Sequence, residues 1–162
     1  MKCWTTQNRR ARLIAAGIEL VSFEVRPFEG AGPLRFGMTS GEVHAHLGAP
    51  RIVRRNRRGE LDEDYSVASA GYAGSDERLV EVAFTSAVSV TFGGANLFRD
   101  DDAVSVLVGL DGGPLAGLDI IVFPSLGIAL ADYFSEQESD RVITVFAKGR
   151  WTKLKGFVPF LK

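Results

Sequence analysis

The chain carries a single cysteine, Cys3, in 162 residues, and one thiol cannot close an internal disulfide. Nothing in it is built for an oxidising compartment. Histidine is equally scarce, with only His44 and His46 present. Charge of one sign is lacking as well. Nineteen Lys+Arg against 20 Asp+Glu leave a net −1, so no global field steers nucleic acid or an anionic membrane. Long hydrophobic runs are absent. The longest uncharged stretch, residues 85–98, is partly polar, and a spanning helix needs roughly 20 apolar residues. Lys2, Arg9, Arg10 and Arg12 ahead of residues 13–18 loosely mimic a secretion signal. Glu19 then interrupts the apolar run and no small-x-small cleavage site follows, so the expected location is the cytoplasm.

Catalytic motifs are thin too. Ser125 lies in Phe123-Pro124-Ser125-Leu126-Gly127, which is not the G-x-S-x-G elbow. Asp111-Gly112-Gly113-Pro114 is a turn signal with no lysine to hold a phosphate. No pair of carboxylates stands out as an acid–base couple. The sequence therefore predicts no catalytic residue, no metal and no cofactor.

What is present is apolar material, 46% of residues, with 24% charged, enough for one globular domain over 1–162. The 18 glycines are scattered as turns would place them. Periodicity predicts an N-terminal helix over 6–16 and a strand over 20–27. A short helix over 40–47 follows, capped by Thr39 or Ser40 and stopped by Gly48. Strands are expected near 51–56, 63–72, 78–85 and 87–92, then a helix over 100–109 capped by Asp100 or Asp101. Further strands fall near 118–123, 127–134 and 141–148.

The order of these pieces repeats. At an offset of 61, Phe36 meets Leu97, Val43 meets Val104, Leu47 meets Val108 and Gly48 meets Gly109. At an offset of 62, Leu79-Val80-Glu81-Val82-Ala83-Phe84 meets Arg141-Val142-Ile143-Thr144-Val145-Phe146. The expected fold is α+β. A largely antiparallel sheet carries short helices on one face, in two pseudo-repeats over about 20–92 and 93–150, followed by a C-terminal segment over 151–162. Half of the chain buries little alone, and two halves side by side can share one sheet.

Phe36-Gly37-Met38-Thr39, Val43 and Leu47-Gly48-Ala49-Pro50 together read F-G-M-T-x-x-x-V-x-x-x-L-G-x-P. This resembles the helical motif of outer-membrane assembly lipoproteins of the SmpA/OmlA type and of the β-lactamase inhibitory protein. It is also similar to a loose group of cytoplasmic bacterial proteins, some of them suspected toxin-immunity proteins. The resemblance implies a small helical unit on an antiparallel sheet, a scaffold used for binding, and no family catalytic residues to carry over.

Candidate sites follow. His44 and His46 lie two apart on a helix, point about 200° apart and cannot share a metal. One is expected on the half-buried face beside Val43 and Leu47. Arg51, Arg54, Arg55, Arg57 and Arg58 crowd eight residues, with Glu60, Asp62, Glu63 and Asp64 directly after. A hairpin about the turn 56–59 sets the bases against the acids; an edge that binds protein is the sharper reading. Nucleic acid is not expected, since no aromatic interleaves the arginines. Asp100, Asp101 and Asp102 read as a helix cap. In the tail, Lys148, Arg150, Lys153 and Lys155 alternate with Trp151, Leu154, Phe157 and Phe160. This is either a last strand packing back on the sheet or a docking segment for a partner or a homodimer. The residues chosen for protein binding are Arg54, Arg55, Arg57, Arg58, Trp151 and Phe157. The function expected is a non-catalytic protein-binding module, of the toxin-immunity or inhibitor type, whose partner is another protein and not nucleic acid or membrane. The alternatives are a small-molecule-binding or enzymatic domain on the concave sheet face, and a structural homodimer subunit.

Overall fold

The computed structural model describes residues 22–160. The expected helix over 6–16 and Cys3 lie outside the described residues.

β1 (Phe23–Arg26), β2 (Gly30–Ala31) and β3 (Leu34–Arg35) form a small meander ahead of α1 (Ser40–Leu47). β1 alternates as its sequence demands, with Phe23 and Val25 buried and Glu24 exposed. Thr39 caps α1 by accepting the Glu42 N–H at 3.3 Å. Gly48 ends the helix at φ +80°, a left-handed backbone that suits glycine. Four strands follow: β4 (Ile52–Arg55), β5 (Leu61–Asp64), β6 (Ala68–Ala73) and β7 (Arg78–Thr85). The strand expected over 63–72 is broken. Ser66 takes φ +67° and the Tyr65 N–H bonds the Ala68 carbonyl at 2.8 Å, so one extended run becomes a β5–β6 hairpin.

β8 (Val90–Phe92) and β9 (Ala95–Asn96) precede α2 (Ala103–Asp111). Then come β10 (Leu115–Gly117), β11 (Ile120–Phe123), β12 (Ile128–Ala131), β13 (Val142–Phe146) and β14 (Val158–Pro159). Asp102 occupies the N-cap of α2 without a side-chain cap bond. Asp100, one of the two expected caps, instead accepts the Asn96 N–H at 2.8 Å and braces the turn before the helix.

The α+β expectation, with helices layered on one face of a sheet, is overturned. The described residues are 38% strand and 14% helix, and the strands build two sheets. A five-stranded sheet runs β3-β2-β1-β8-β9, and a nine-stranded sheet runs β14-β10-β11-β12-β13-β7-β6-β5-β4. The cause is visible in the sequence. The two α-helices among the described residues are eight and nine residues long, and each supplies only one narrow stripe. The remaining burial falls to short strands such as β2, β3 and β9, whose two residues give no periodic signal. One core lies between the elements, joining Phe23, Val25 and Val90 of the small sheet to Val82, Phe84, Ile143 and Val145 of the large one. The Phe23 and Phe84 rings meet at 4.7 Å.

The large sheet is two four-stranded meanders welded at the antiparallel pair β7·β13, with Val82 opposite Val145 and Phe84 opposite Ile143. Two expected alignments shift by one residue. Val82 and Phe84 share the core face with Ile143 and Val145, an offset of 61; an offset of 62 sets Val82 on Thr144, which faces the other way. On α2 the buried stripe is Ala103, Leu107 and Asp111, while Val104 and Val108 flank it half-buried. Six of its nine residues are apolar and spread around the helix, so its sequence alone does not single out the inward face.

Candidate functional site

The two faces of the nine-stranded sheet differ. The inner face is the core. On the outer face, Val122 of β11, Ala129 of β12 and Phe146 of β13 form a second apolar cluster, covered by Trp151, Leu154 and Phe157 of the C-terminal segment. Trp151 stacks on Phe146 with ring centroids 5.2 Å apart and planes 8° from parallel. Phe157 lies on Gly117, where a Cβ would come within 3.0 Å of its ring. β14 then closes the sheet edge against β10. Trp151 and Phe157 thus lie on the sheet, as a last segment folding back. Both side chains are half-buried there, each keeping part of its surface exposed.

The C-terminal segment touches the other meander at its start, through the Trp151 indole on Glu81 of β7, and beyond that contact the outer face of β4–β7 carries polar side chains. The register places them in two rows. One row crosses Arg54, Asp62, Gly71, Glu81 and Phe146; the other crosses Ile52, Asp64, Ser69, Ala83 and Thr144. Small residues in mid-row leave a concave site of about 210 Å3, lined by Arg54, Asp62, Ser69, Gly71, Glu81, Thr144 and Trp151 among others. Gly71 is needed here. A Cβ would stand 2.9 Å from the Glu81 Cγ and 3.4 Å from an Asp62 oxygen, so the two carboxylates occupy the space above it. This carboxylate pair escaped the sequence reading, because 19 residues separate the partners and only the β5-β6-β7 register joins them.

The electrostatics are uneven. Burial, with the Glu81 charge second, pushes the Asp62 carboxyl above its ordinary value. Glu81 is better held: it accepts the Trp151 indole N–H at 3.0 Å and the Arg150 guanidinium at 3.4 Å. Arg150 also donates to both oxygens of Glu60, at 2.7 and 3.1 Å. With the Asn56 amide added, Glu60 is held down at about 2. For Asp64 burial pushes upward, but bonds from the Arg51 guanidinium and the Ser66 N–H outweigh it and the carboxyl falls.

The arginine-rich hairpin is real, with Arg54 opposite Asp62 and Arg55 opposite Leu61. Its turn is braced by the Asn56 side chain, which accepts the N–H groups of Arg58 and Glu60 at 2.9 and 3.0 Å. Arg55 bonds Glu77 and the Gly59 carbonyl, and Arg58 lies 3.8 Å from Glu60. Arg54 and Arg57 make no ion pair or hydrogen bond among the described residues, although Arg54 sits in the field of Asp62 and Asp64. β4 is the open edge of the sheet and all four of its residues are exposed.

The two histidines part as helical spacing requires. His44 is half-buried and its Nε2 lies 2.6 Å from Glu63, while His46 is exposed. Glu63 is buried and also accepts the Tyr65 hydroxyl at 3.2 Å. This cluster fastens α1 to β5. Among the described residues no three metal-ligating side chains converge.

In comparisons with known proteins, no family model, no curated protein and no solved structure matches this chain.

Proposed function

We propose that this chain is a non-catalytic protein-binding module of the immunity or inhibitor type, working in the cytoplasm and engaging another protein through the outer face of β4–β7 and the arginine hairpin. One observation carries the reading: among the described residues, the C-terminal segment covers the outer face over β11–β13 and, beyond the Trp151–Glu81 contact, leaves it open over β4–β7. The bare half is concave and has a rim of guanidinium and indole groups, Arg54 and Trp151, the side chains most enriched where proteins meet. The F-G-M-T opening points the same way by resemblance.

A photo-crosslinking residue placed at Ser69, on the bare face, tests it. Against lysate of the source cells it should capture a discrete protein, and Arg54→Glu should remove that product. The same probe at the exposed Leu118 should capture nothing comparable. Equal labelling at both positions, or labelling indifferent to Arg54→Glu, overturns the proposal.

A second reading has a specific observation behind it. Asp62 and Glu81 stand together above Gly71, and a small cationic ligand would relieve the strain that raises the Asp62 pKa. Titration with small amines, followed by the shift of the Trp151 indole proton, tests this reading. A flat response at millimolar amine overturns it.

A further inference from the structure

We propose that β4 takes an acidic extended segment of the partner as a tenth strand of the large sheet. This rests on the protein-binding reading above and names the partner's chemistry.

Three observations lead there. First, among the described residues β4 is an edge strand whose backbone polar groups have a neighbour on one side only. The Asn56 N–H bonds the Glu60 carbonyl, and Arg54 pairs with Asp62 in the same register. The alternation of an antiparallel ladder then turns the amides of Val53 and Arg55 outward. Second, the edge is not blunted by proline or a bulge. Ile52 and Val53 are 42% and 57% exposed, large apolar side chains on an open strand. Third, the strand this edge already pairs with is an acidic one, and Arg54 lies opposite Asp62 in it. On its inner side β4 is covered by Leu61-Asp62-Glu63-Asp64, an acidic strand that faces Arg55, Arg54, Val53 and Ile52 in turn. The outer side presents the same column with no described residue paired to it.

The occupant follows from that column. An antiparallel segment would set carboxylates against Arg55 and Arg54, and β-branched residues against Val53 and Ile52. A second copy of this chain is the poorer fit. Pairing β4 with β4 lines the arginines of both copies along one seam with no acid on either strand. The hairpin is stiffened in advance by Asn56 and by the Arg55–Glu77 pair, so little ordering is left to be done on binding.

The probe is a capped peptide with the core Glu-Glu-Val-Val, titrated into the full chain and followed by amide hydrogen exchange and fluorescence anisotropy. Binding should slow exchange at Val53 and Arg55. Affinity should fall at least tenfold with Arg54→Glu, with a Lys-Lys-Val-Val peptide, and with a peptide N-methylated at alternate amides. Val53→Pro removes an outward N–H without touching the β4·β5 ladder and should also abolish binding. Should that variant fail to fold, the methylated peptide still decides. The proposal is overturned by no binding at millimolar peptide, by binding that leaves the Val53 and Arg55 amides unchanged, by indifference to methylation, or by binding of a single-stranded oligonucleotide in place of the peptide. The two readings fail separately. Protein capture at Ser69 that survives Val53→Pro leaves the sheet face as the interface and removes the edge; loss of all capture removes the reading beneath it.

Discussion

Arg150 grips Glu60 through two hydrogen bonds, 2.7 and 3.1 Å long, across 90 residues of sequence. The same guanidinium reaches Glu81, so one cation ties the hairpin turn to the centre of the sheet and to the start of the C-terminal segment. Arg150→Ala should remove the shared cation from two carboxylates, leaving Glu60 to Asn56 and Arg58 and Glu81 to Trp151, and cost about 2 kcal/mol, read as a lower urea midpoint. Glu60 adds a pH signature. Its folded pKa is depressed from 4.5 to about 2, so its contribution is present above 4.5 and is lost as pH falls from 4.5 towards 2. The pair is part-buried, and about 1 kcal/mol should disappear over that window in wild type and not in Glu60→Gln.

Asp62 has the opposite sign. Its folded pKa is raised, so ionisation opposes folding, and stability is lost as pH rises from 3.8 through the folded value. Asp62→Asn should therefore raise the thermal midpoint at pH 7, and the gain should vanish below pH 3.8. A destabilised variant at pH 7 would show that the carboxylate is held by its neighbours and not strained.

His44→Ala removes a partner from the buried Glu63 and should cost about 2 kcal/mol. His46→Ala, at an exposed position on the same helix, should stay within about 0.5 kcal/mol. Chemical denaturation of the two variants side by side checks both.

Phe157→Ala should cost about 2 kcal/mol and loosen the tail, since the ring fills the space above Gly117. Proteolysis after residue 150 should accelerate in this variant. An unchanged stability would return Phe157 to the role of an exposed anchor.

Long or strongly patterned elements were legible in the sequence. β7 spans the eight residues its alternation predicts, and α1 begins at its threonine cap and ends at its glycine. The short strands were not, because two residues cannot establish a period. The sequence pattern joins β5 to β6, since apolar residues run on through Tyr65 and Val67, and only the positive φ of Ser66 breaks it. The site behaved likewise. The arginine hairpin is contiguous and could be read directly. The Asp62–Glu81 pair exists only through register and the missing side chain of Gly71.

The weld at β7·β13 carries one more consequence. The chain between the meanders passes through the turn at residues 86–89, and the halves hold one another through β7·β13 and through the parallel pair β1·β8. A polypeptide severed in that turn would yield two pieces, each with a complementary raw edge. Reassembly of such pieces from separate genes would make this molecule a natural split reporter.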